Sequence, residues 1–566
     1  MAKWGCESTT LPACPMTASR RRTRPAGPPT PSEIVGTDMP EVSAPTGQLS
    51  VVPRSWWKAL TAKVHTIPLL GGVVRRIDMS SWKRRTLALE LARPLDDPSY
   101  NLCVPDGQSV RVPVIWVIEL FPPSYASSMQ RSILKQGWRE DNSWRGFDTA
   151  QKIRMARQIG TSNARDLVRL VAQDQPYHPL TGSVQARLPK SFLRVDVNLI
   201  ELGNSLTAVC AAIELRPEAA ESVDRAMRRP ALPRAQRTGW GFSIFHRQDA
   251  SRRYVADAHG ELRAEARRWL SARIPGVFSK EASGRLPVLD LIVAAEESPR
   301  MDALKASGMW AALGVASDFL ITESPALGGI RFNEYVHPVM RSTQDFDVFS
   351  LFVEAPLVKT ASGLALIGEN KAYASFAMGA KASVSVFFSR VAINSLLALK
   401  SSQSADARDA AHKLHRRRSV SSIKSLRESF LRGSLDNLSV ARGIKRIASN
   451  HQEYHWQAAE FETRYNAEYD STRAADKPEN QLDKLAAWQR KEADDLLDQD
   501  SQTREVLGVV ASLTAGIEGI RSQRWALFVA LLSLVAAVVA VALSLAAQNQ
   551  SAVGASVAGL TAQLHR

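Results

Sequence analysis

The stretch Trp525 to Ala547, WALFVALLSLVAAVVAVALSLAA, holds no charge, no proline and no glycine, and its only hydroxyl side chains are Ser533 and Ser544. As a helix rising about 1.5 Å per residue it spans roughly 35 Å, enough to cross a hydrocarbon core of about 30 Å with some tilt. Each serine hydroxyl can bond a backbone carbonyl one turn earlier, which leaves little polarity unpaired in lipid. Helices in soluble cores seldom stay apolar on every face for this length, because one side normally meets water. The run predicts a transmembrane helix over 525–547.

Its flanks set an expected orientation. Arg521 and Arg524 abut the N-terminal end, and no Lys, Arg, Asp or Glu follows the run until Arg566. Basic residues are retained on the cytoplasmic side, so the bulk of the chain is expected there, with the short tail 548–566 opposite. Ser19-Arg20-Arg21-Arg22 resembles a twin-arginine export start, but Pro-rich sequence follows it instead of an apolar stretch. A single-pass, tail-anchored plan is expected.

With 566 residues, 45% hydrophobic and 23% charged, the chain is neither wholly disordered nor collagen-like, and it has room for several domains. Residues 1–50 are rich in Pro, Thr, Ser and Ala without apolar periodicity, and read as a disordered tail. In 51–230, Leu87, Leu89 and Leu91 alternate, then Val110, Val112, Val114 and Trp116, as strands do. Leu193 to Leu199 alternates as well, Gly203-Asn204 supplies a turn and Leu206 to Leu215 returns, predicting a β-hairpin. A helix from about Pro217 to Arg229 follows. Segment 231–400 repeats the mixture as a second domain or a continuation of the first. Its expected helices are 257–273 and 301–315, and its expected strands are Gly241–Phe245, Val288–Ala294, Ile330–Val336, Asp345–Val353 and Gly363–Ile367. The fold class is α+β, with a mixed, largely antiparallel sheet.

From about residue 386 helix is expected to dominate, with 401–524 forming a helical hairpin or coiled-coil stalk. Ile423, Leu426, Phe430, Val440, Ile444 and Ile447 sit at heptad-compatible positions, and Lys477-Pro478 marks a break before a last helix from Gln481. Val506, Val510, Leu513, Ile517 and Ile520 step by four and three into the apolar run. Ala536, Ala540 and Ser544 recur every four residues within it, a spacing that lets lipid-embedded helices approach closely. Both stripes fit a parallel homo-oligomer; packing against the preceding helix explains the first equally well.

The net charge is +16. Residues 401–450 carry eleven Lys and Arg against four acids, and acids cluster from Glu460 to Asp500. Cross-helix pairing in an antiparallel hairpin would use that reversal. Attraction of His415-Arg416-Arg417-Arg418 to anionic headgroups is an alternative. Nucleic acid is an unlikely partner on sequence grounds, since no RNA-binding aromatic signature, zinc finger or helix-turn-helix accompanies the basic run.

Motifs that carry chemistry are sparse. Cys6, Cys14, Cys103 and Cys210 match no metal spacing, and Cys103 and Cys210 fall at or beside strands as small buried hydrophobes. Gly379-Ala380-Lys381-Ala382-Ser383 lacks the upstream glycine of a phosphate loop, and Gly328-Gly329 reads as a turn. His178 and His337 lie in loop-like settings without a partner in sequence, and His451 and His455 would share a helix face. No catalytic, cofactor-binding or metal site is assigned. In layout, a mixed domain joined by a long helix to a C-terminal membrane segment is similar to CorA-type magnesium channels. That family has two membrane helices with Gly-Met-Asn after the first, whereas here one span is followed by Gln548-Asn549-Gln550. The expectation is a membrane-anchored binding, scaffold or sensor protein. A tethered enzyme with its site in 51–400 is the alternative, and an oligomeric channel component the third.

Overall fold

The computed structural model describes residues 85–89, 91, 108–138, 149–160, 162–175, 183–229, 232–238, 241–294, 308–313, 320–333, 347–354, 369–417, 420–450, 457–465, 472–473 and 476–564. All belong to a unit spanning Asp78–Arg566. Its centre is an eleven-stranded sheet with β1 (Val110–Phe121), β2 (Ser162–Ala172), β3 (Ser183–Ala186), β4 (Phe192–Leu202), β5 (Leu206–Leu215), β8 (Val288–Ala294), β9 (Leu320–Ser324), β10 (Ile330–Asn333), β11 (Val348–Glu354), β12 (Glu462–Tyr465) and β13 (Glu479–Asn480). The order is β13-β12-β9-β10-β11-β8-β1-β5-β4-β2-β3, and β6 (Arg234–Thr238) with β7 (Gly241–Phe245) forms a separate antiparallel hairpin. Within the large sheet only β11·β8 and β2·β3 run parallel. The expected α+β class with a largely antiparallel sheet is therefore present.

The central strands are apolar on both faces. All residues of β8 are buried, as are all of β5 but Glu214, and β1 is buried except for Arg111. Such runs can only sit where both sheet faces are covered. Two-residue β13 and four-residue β3 close the edges, short enough to offer little ladder to a stray strand.

The covering helices are identified by side-chain alternation. Asp290 of β8 bonds His259 of α5 (Arg247–Arg273), the cover of one face. Its neighbour Leu289 points the other way and pairs with Phe349 of β11, whose ring lies 6.1 Å from that of Phe388 in α9 (Lys381–Arg417). Short helices complete the set: α1 (Ala126–Gln136), α2 (Thr149–Ile159), α3 (Pro217–Ala220), α4 (Ser222–Met227), α6 (Val277–Glu281), α7 (Gly308–Ala312) and α8 (Glu369–Gly379).

After α9 come α10 (Val420–Ser449) and α11 (Gln481–Leu564). Gln489 of α11 bonds Arg390 and Asn394, and Gln499 bonds Ser401, so α11 runs parallel to α9. Arg490 reaches Ala448, Lys445 pairs with Asp494 and Ser434 bonds Asp500, so α11 runs antiparallel to α10. The result is an up-down-up bundle growing from the sheet.

Several expectations need correction. Residues 85–89 are helical and Leu89 is 67% exposed, not a strand. Leu87 to Arg93 is built of Leu, Ala, Glu and Arg, whose high helix propensity outweighs a period-two pattern in so short a run. The helix expected over 217–229 is broken at Glu221 into α3 and α4. The helix expected from 257 begins ten residues earlier, at Arg247, where His246 and Asp249 form a capping box. The acidic stretch after 460 is not one helix, because β12 and β13 precede α11 and pair at the sheet edge. The basic segment 401–450 spans two antiparallel helices instead of one arm of a hairpin. Strand Gly363–Ile367, the tail 1–50 and most of helix 301–315 lie outside the described residues.

Candidate functional site

Two helices are long and apolar enough to cross a membrane, and their surroundings separate them. Two-thirds of the most apolar stretch of Lys381–Lys413 is buried within the fold, against the sheet and the bundle, so its apolar character is that of a core helix. Gly519–Gln548, with mean hydropathy 2.9, is 0% buried. Leu531, Leu534, Val538, Val541 and Leu545 are all exposed. An apolar surface of this extent, left bare around the whole circumference of a helix, calls for lipid or another apolar partner. Ser533 bonds the Val529 carbonyl at 2.9 Å and Ser544 the Val541 carbonyl at 2.8 Å, which satisfies both hydroxyls inside the helix as expected.

The stripe feeding into this segment divides. Leu507 and Val510 are buried, with Leu507 packed against Ala411 of α9 and Phe430 of α10. Beyond the bundle Leu513 and Ile520 are 52% and 55% exposed. Packing against the preceding helices accounts for the first half of the spacing only.

The bundle is tied to the sheet through buried polar contacts. At the start of α9, Lys381 donates to Asp196 of β4 at 2.6 Å and to Asp166 at 3.3 Å, and Arg169 and Arg194 also pair with Asp196. Burial alone would raise the Asp196 carboxyl, but the three cations outweigh it and hold it below the usual carboxylate range. One turn on, Ser385 meets Asn198 at 3.1 Å. This is where the Gly379–Ser383 motif lies, and its lysine neutralises a sheet aspartate. Cys210 is buried on the same face, and burial pushes its thiol up to about 12, far from a reactive thiolate.

Further along α9, Lys400 at 2.6 Å and Gln403 at 3.0 Å both bond Oε2 of Glu281 at the end of α6, and Tyr125 donates to its Oε1 at 2.8 Å. Burial raises Glu281, yet Lys400 and these hydrogen bonds outweigh it and lower its pKa. Burial and then Glu281 push the Tyr125 phenol up. Nearby, Glu119 of β1 takes the amides of Phe278 and Ser279 at 2.8 and 2.9 Å. Burial raises its carboxyl to about 7 in spite of those bonds.

On the sheet face away from Asp196 and Lys381, His259 Nδ1 lies 3.1 Å from Asp290, which Arg263 also contacts. A carboxylate orienting an imidazole is also the geometry of a general base. Here the His259 side chain is only 5% exposed and its Nε2 has no partner, so a substrate would reach it only by parting α5 from β8. Burial, then Arg263, lowers its pKa and keeps it neutral. The pair reads as packing chemistry.

Among the described residues no three His, Cys, Asp or Glu side chains are grouped to hold a metal ion. His178, His337, His451, His455 and Cys103 lie outside the described residues. Gly328 and Gly329 form the turn between β9 and β10, with φ of 69° and 84°. Sequence reasoning missed the buried carboxylates Glu119 and Asp290, each the lone acid in its strand.

No family model, curated protein or solved structure matches this chain.

Proposed function

We propose that this chain is a single-pass, C-terminally anchored membrane protein whose α+β region acts by binding, as a scaffold or sensor on the cytoplasmic face. One observation carries the reading: α11 is unbroken from the β13 sheet edge through the bundle into the bare apolar stretch 519–548. A continuous helix shared by sheet edge and bilayer transmits position between them, which suits a protein that reports or organises rather than one that turns over substrate. The titratable clusters between sheet and bundle fit this reading, since their carboxylates are engaged by cations, amides and hydroxyls and hold layers together. Arg521 and Arg524 at the N-terminal boundary support a cytoplasmic position for the sheet, since basic flanks are retained on that side.

Alkaline carbonate washing of membranes from expressing cells tests it. Full-length chain retained in the pellet supports the anchor; release into the supernatant overturns it. Protease added to sealed vesicles of known sidedness then tests orientation. The exposed Leu513 and Ile520, continued by Ala536, Ala540 and Ser544, support parallel self-association of the anchor helices. Crosslinking in native membranes that yields monomer alone removes that part.

A further inference from the structure

The end of the bundle that faces the membrane segment is built from the most basic part of the chain. From Ala410 to Arg427 the sequence holds six Lys or Arg, two His and no acid. Residues 410–417 form the last turns of α9, which ends at Arg417, and residues 420–427 the first turns of α10, which begins at Val420. Lys413 and Arg427 are exposed.

The geometry fixes where this tip lies along α11. Arg390 meets Gln489, Ser401 meets Gln499 and Ala411 meets Leu507, so α9 and α11 advance side by side. Extending that register, Arg417 lies level with about residue 513 of α11. Twelve further residues to Trp525 amount to about 18 Å of helix. A headgroup layer of roughly 6 Å occupies the part of that distance nearest the hydrocarbon. What remains, about 12 Å for an upright helix, compares with a Debye length of about 8 Å, and a tilt of about 20° toward the bundle side shortens it. Arg521 and Arg524, both exposed, carry the same sign across the gap.

We infer that the α9–α10 tip is a docking surface for the anionic lipid headgroups of the membrane that α11 crosses, with Lys413, Arg416, Arg417, Lys424 and Arg427 supplying the charge. The inference rests on α11 being the anchor and goes beyond it, because an anchor helix alone leaves the whole chain free to tilt in the bilayer. Headgroup docking pins the bundle against the surface, so the sheet domain takes one orientation on anionic bilayers and several on neutral ones. Nucleic acid shares the phosphate chemistry, but the tip is held on the bilayer side by α11, where lipid phosphate is the nearest and most concentrated source.

The test reconstitutes the full chain into vesicles of phosphatidylcholine alone and of phosphatidylcholine with one-third phosphatidylglycerol, and follows amide hydrogen exchange of peptides covering 410–427. Exchange at the tip is expected to be at least fivefold slower on the anionic vesicles, with the difference lost in 0.5 M NaCl and unchanged for peptides of β1 and β5. The combined variant Lys413→Gln, Arg416→Gln, Arg417→Gln, Arg427→Gln is expected to exchange at the neutral-vesicle rate on both. Equal wild-type rates on the two vesicles overturn the inference, and so does protection that appears only when an RNA oligonucleotide is added. Carbonate washing of the same vesicles separates this outcome from loss of the anchor: chain retained in the pellet with equal rates sinks only the docking surface.

Discussion

Ser205, in the turn between β4 and β5, occupies the space a side chain on Gly443 of α10 would need: a Cβ there would lie 1.6 Å from Ser205 Oγ. The contact seats α10 against the end of the sheet, beside Asp436 of the same helix, which accepts the Ser124 amide and hydroxyl. Gly443→Ala therefore has to push helix and turn apart, at a cost of about 1–3 kcal/mol. Gly433, ten residues earlier in the same helix, has nothing within 4 Å of the equivalent position. There alanine only improves helix propensity, by up to about 1 kcal/mol. Thermal unfolding of the detergent-solubilised chain is expected to fall for Gly443→Ala and to rise slightly for Gly433→Ala. Ser205→Gly added to the first variant recovers most of the loss.

Arg390 is a fully buried guanidinium in the α9–α11 interface. Gln489 accepts from its Nη2 at 2.7 Å, while Nε and Nη1 have no partner. Burial lowers its pKa to about 9, so it still carries its charge at neutral pH. A buried charge without a carboxylate is costly, and an apolar side chain of similar length removes the cost. Arg390→Met is expected to leave stability unchanged or raise it. Gln489→Ala is expected to lower it by about 1–3 kcal/mol, because it strands Arg390 Nη2 together with the Arg390 carbonyl and Asn394 Oδ1 that the glutamine amide contacts. Denaturant titrations of the two variants at pH 7 check the opposite signs.

Much of this architecture is legible in the residues themselves. β5 occupies Leu206–Leu215 and β8 Val288–Ala294, the bounds that their apolar runs predict, because no helix period fits segments so short and so uniformly buried. Lys477-Pro478 announces the start of α11, and the apolar run predicts the bare segment. β2 escaped because Asn163, Arg165, Asp166 and Arg169 break its pattern; Arg165, Asp166 and Arg169 pair across the sheet or with α9, a tertiary fact with no local signal. β12 and β13 escaped because four and two residues carry too little pattern, and only the pairing of β12 with β9 and of β13 with β12 makes them strands. Arg390 did leave a trace, a single cation within Val384–Leu399, but a sequence does not show that a glutamine a hundred residues on will face it. The same holds for the basic tip: its charge is readable, whereas its place beside the bare apolar segment depends on the parallel register of α9 and α11.

Asp196 receives three cations, and the stability of its neighbourhood depends on which member is removed. Asp196→Asn leaves Lys381, Arg169 and Arg194 crowded round a neutral amide, with Lys381 buried at the start of α9 and only the exposed Asp166 at 3.3 Å to balance it. Removing one partner of a buried ion pair costs about 3–5 kcal/mol. Lys381→Met keeps Asp196 paired with two arginines and is expected to cost less than half as much. Calorimetry of the two variants gives the ranking, and equal losses would mean that Lys381 alone holds the aspartate.

Glu119 makes stability depend on pH in a direction opposite to most carboxylates. Burial raises its carboxyl from 4.5 to about 7 in the folded chain, so between those values the native state holds a proton that the unfolded chain has released. Its contribution is complete below about pH 4.5, declines as pH rises through 7 and is flat above. Over the whole window the decline amounts to roughly 3 kcal/mol. Glu119→Gln cannot ionise, still offers an oxygen to the Phe278 or Ser279 amide and fits beside Gly276, where a Cβ would stand 2.6 Å from the Glu119 Cγ. The expected result is a variant close to wild type in stability at pH 5 and more stable at pH 8.5, with the gap opening between pH 5 and 7.5. Chemical unfolding across that range measures it. A gap constant with pH would show that the Glu119 carboxyl titrates alike in the folded and unfolded chain, and that the amides of α6 hold it ionised.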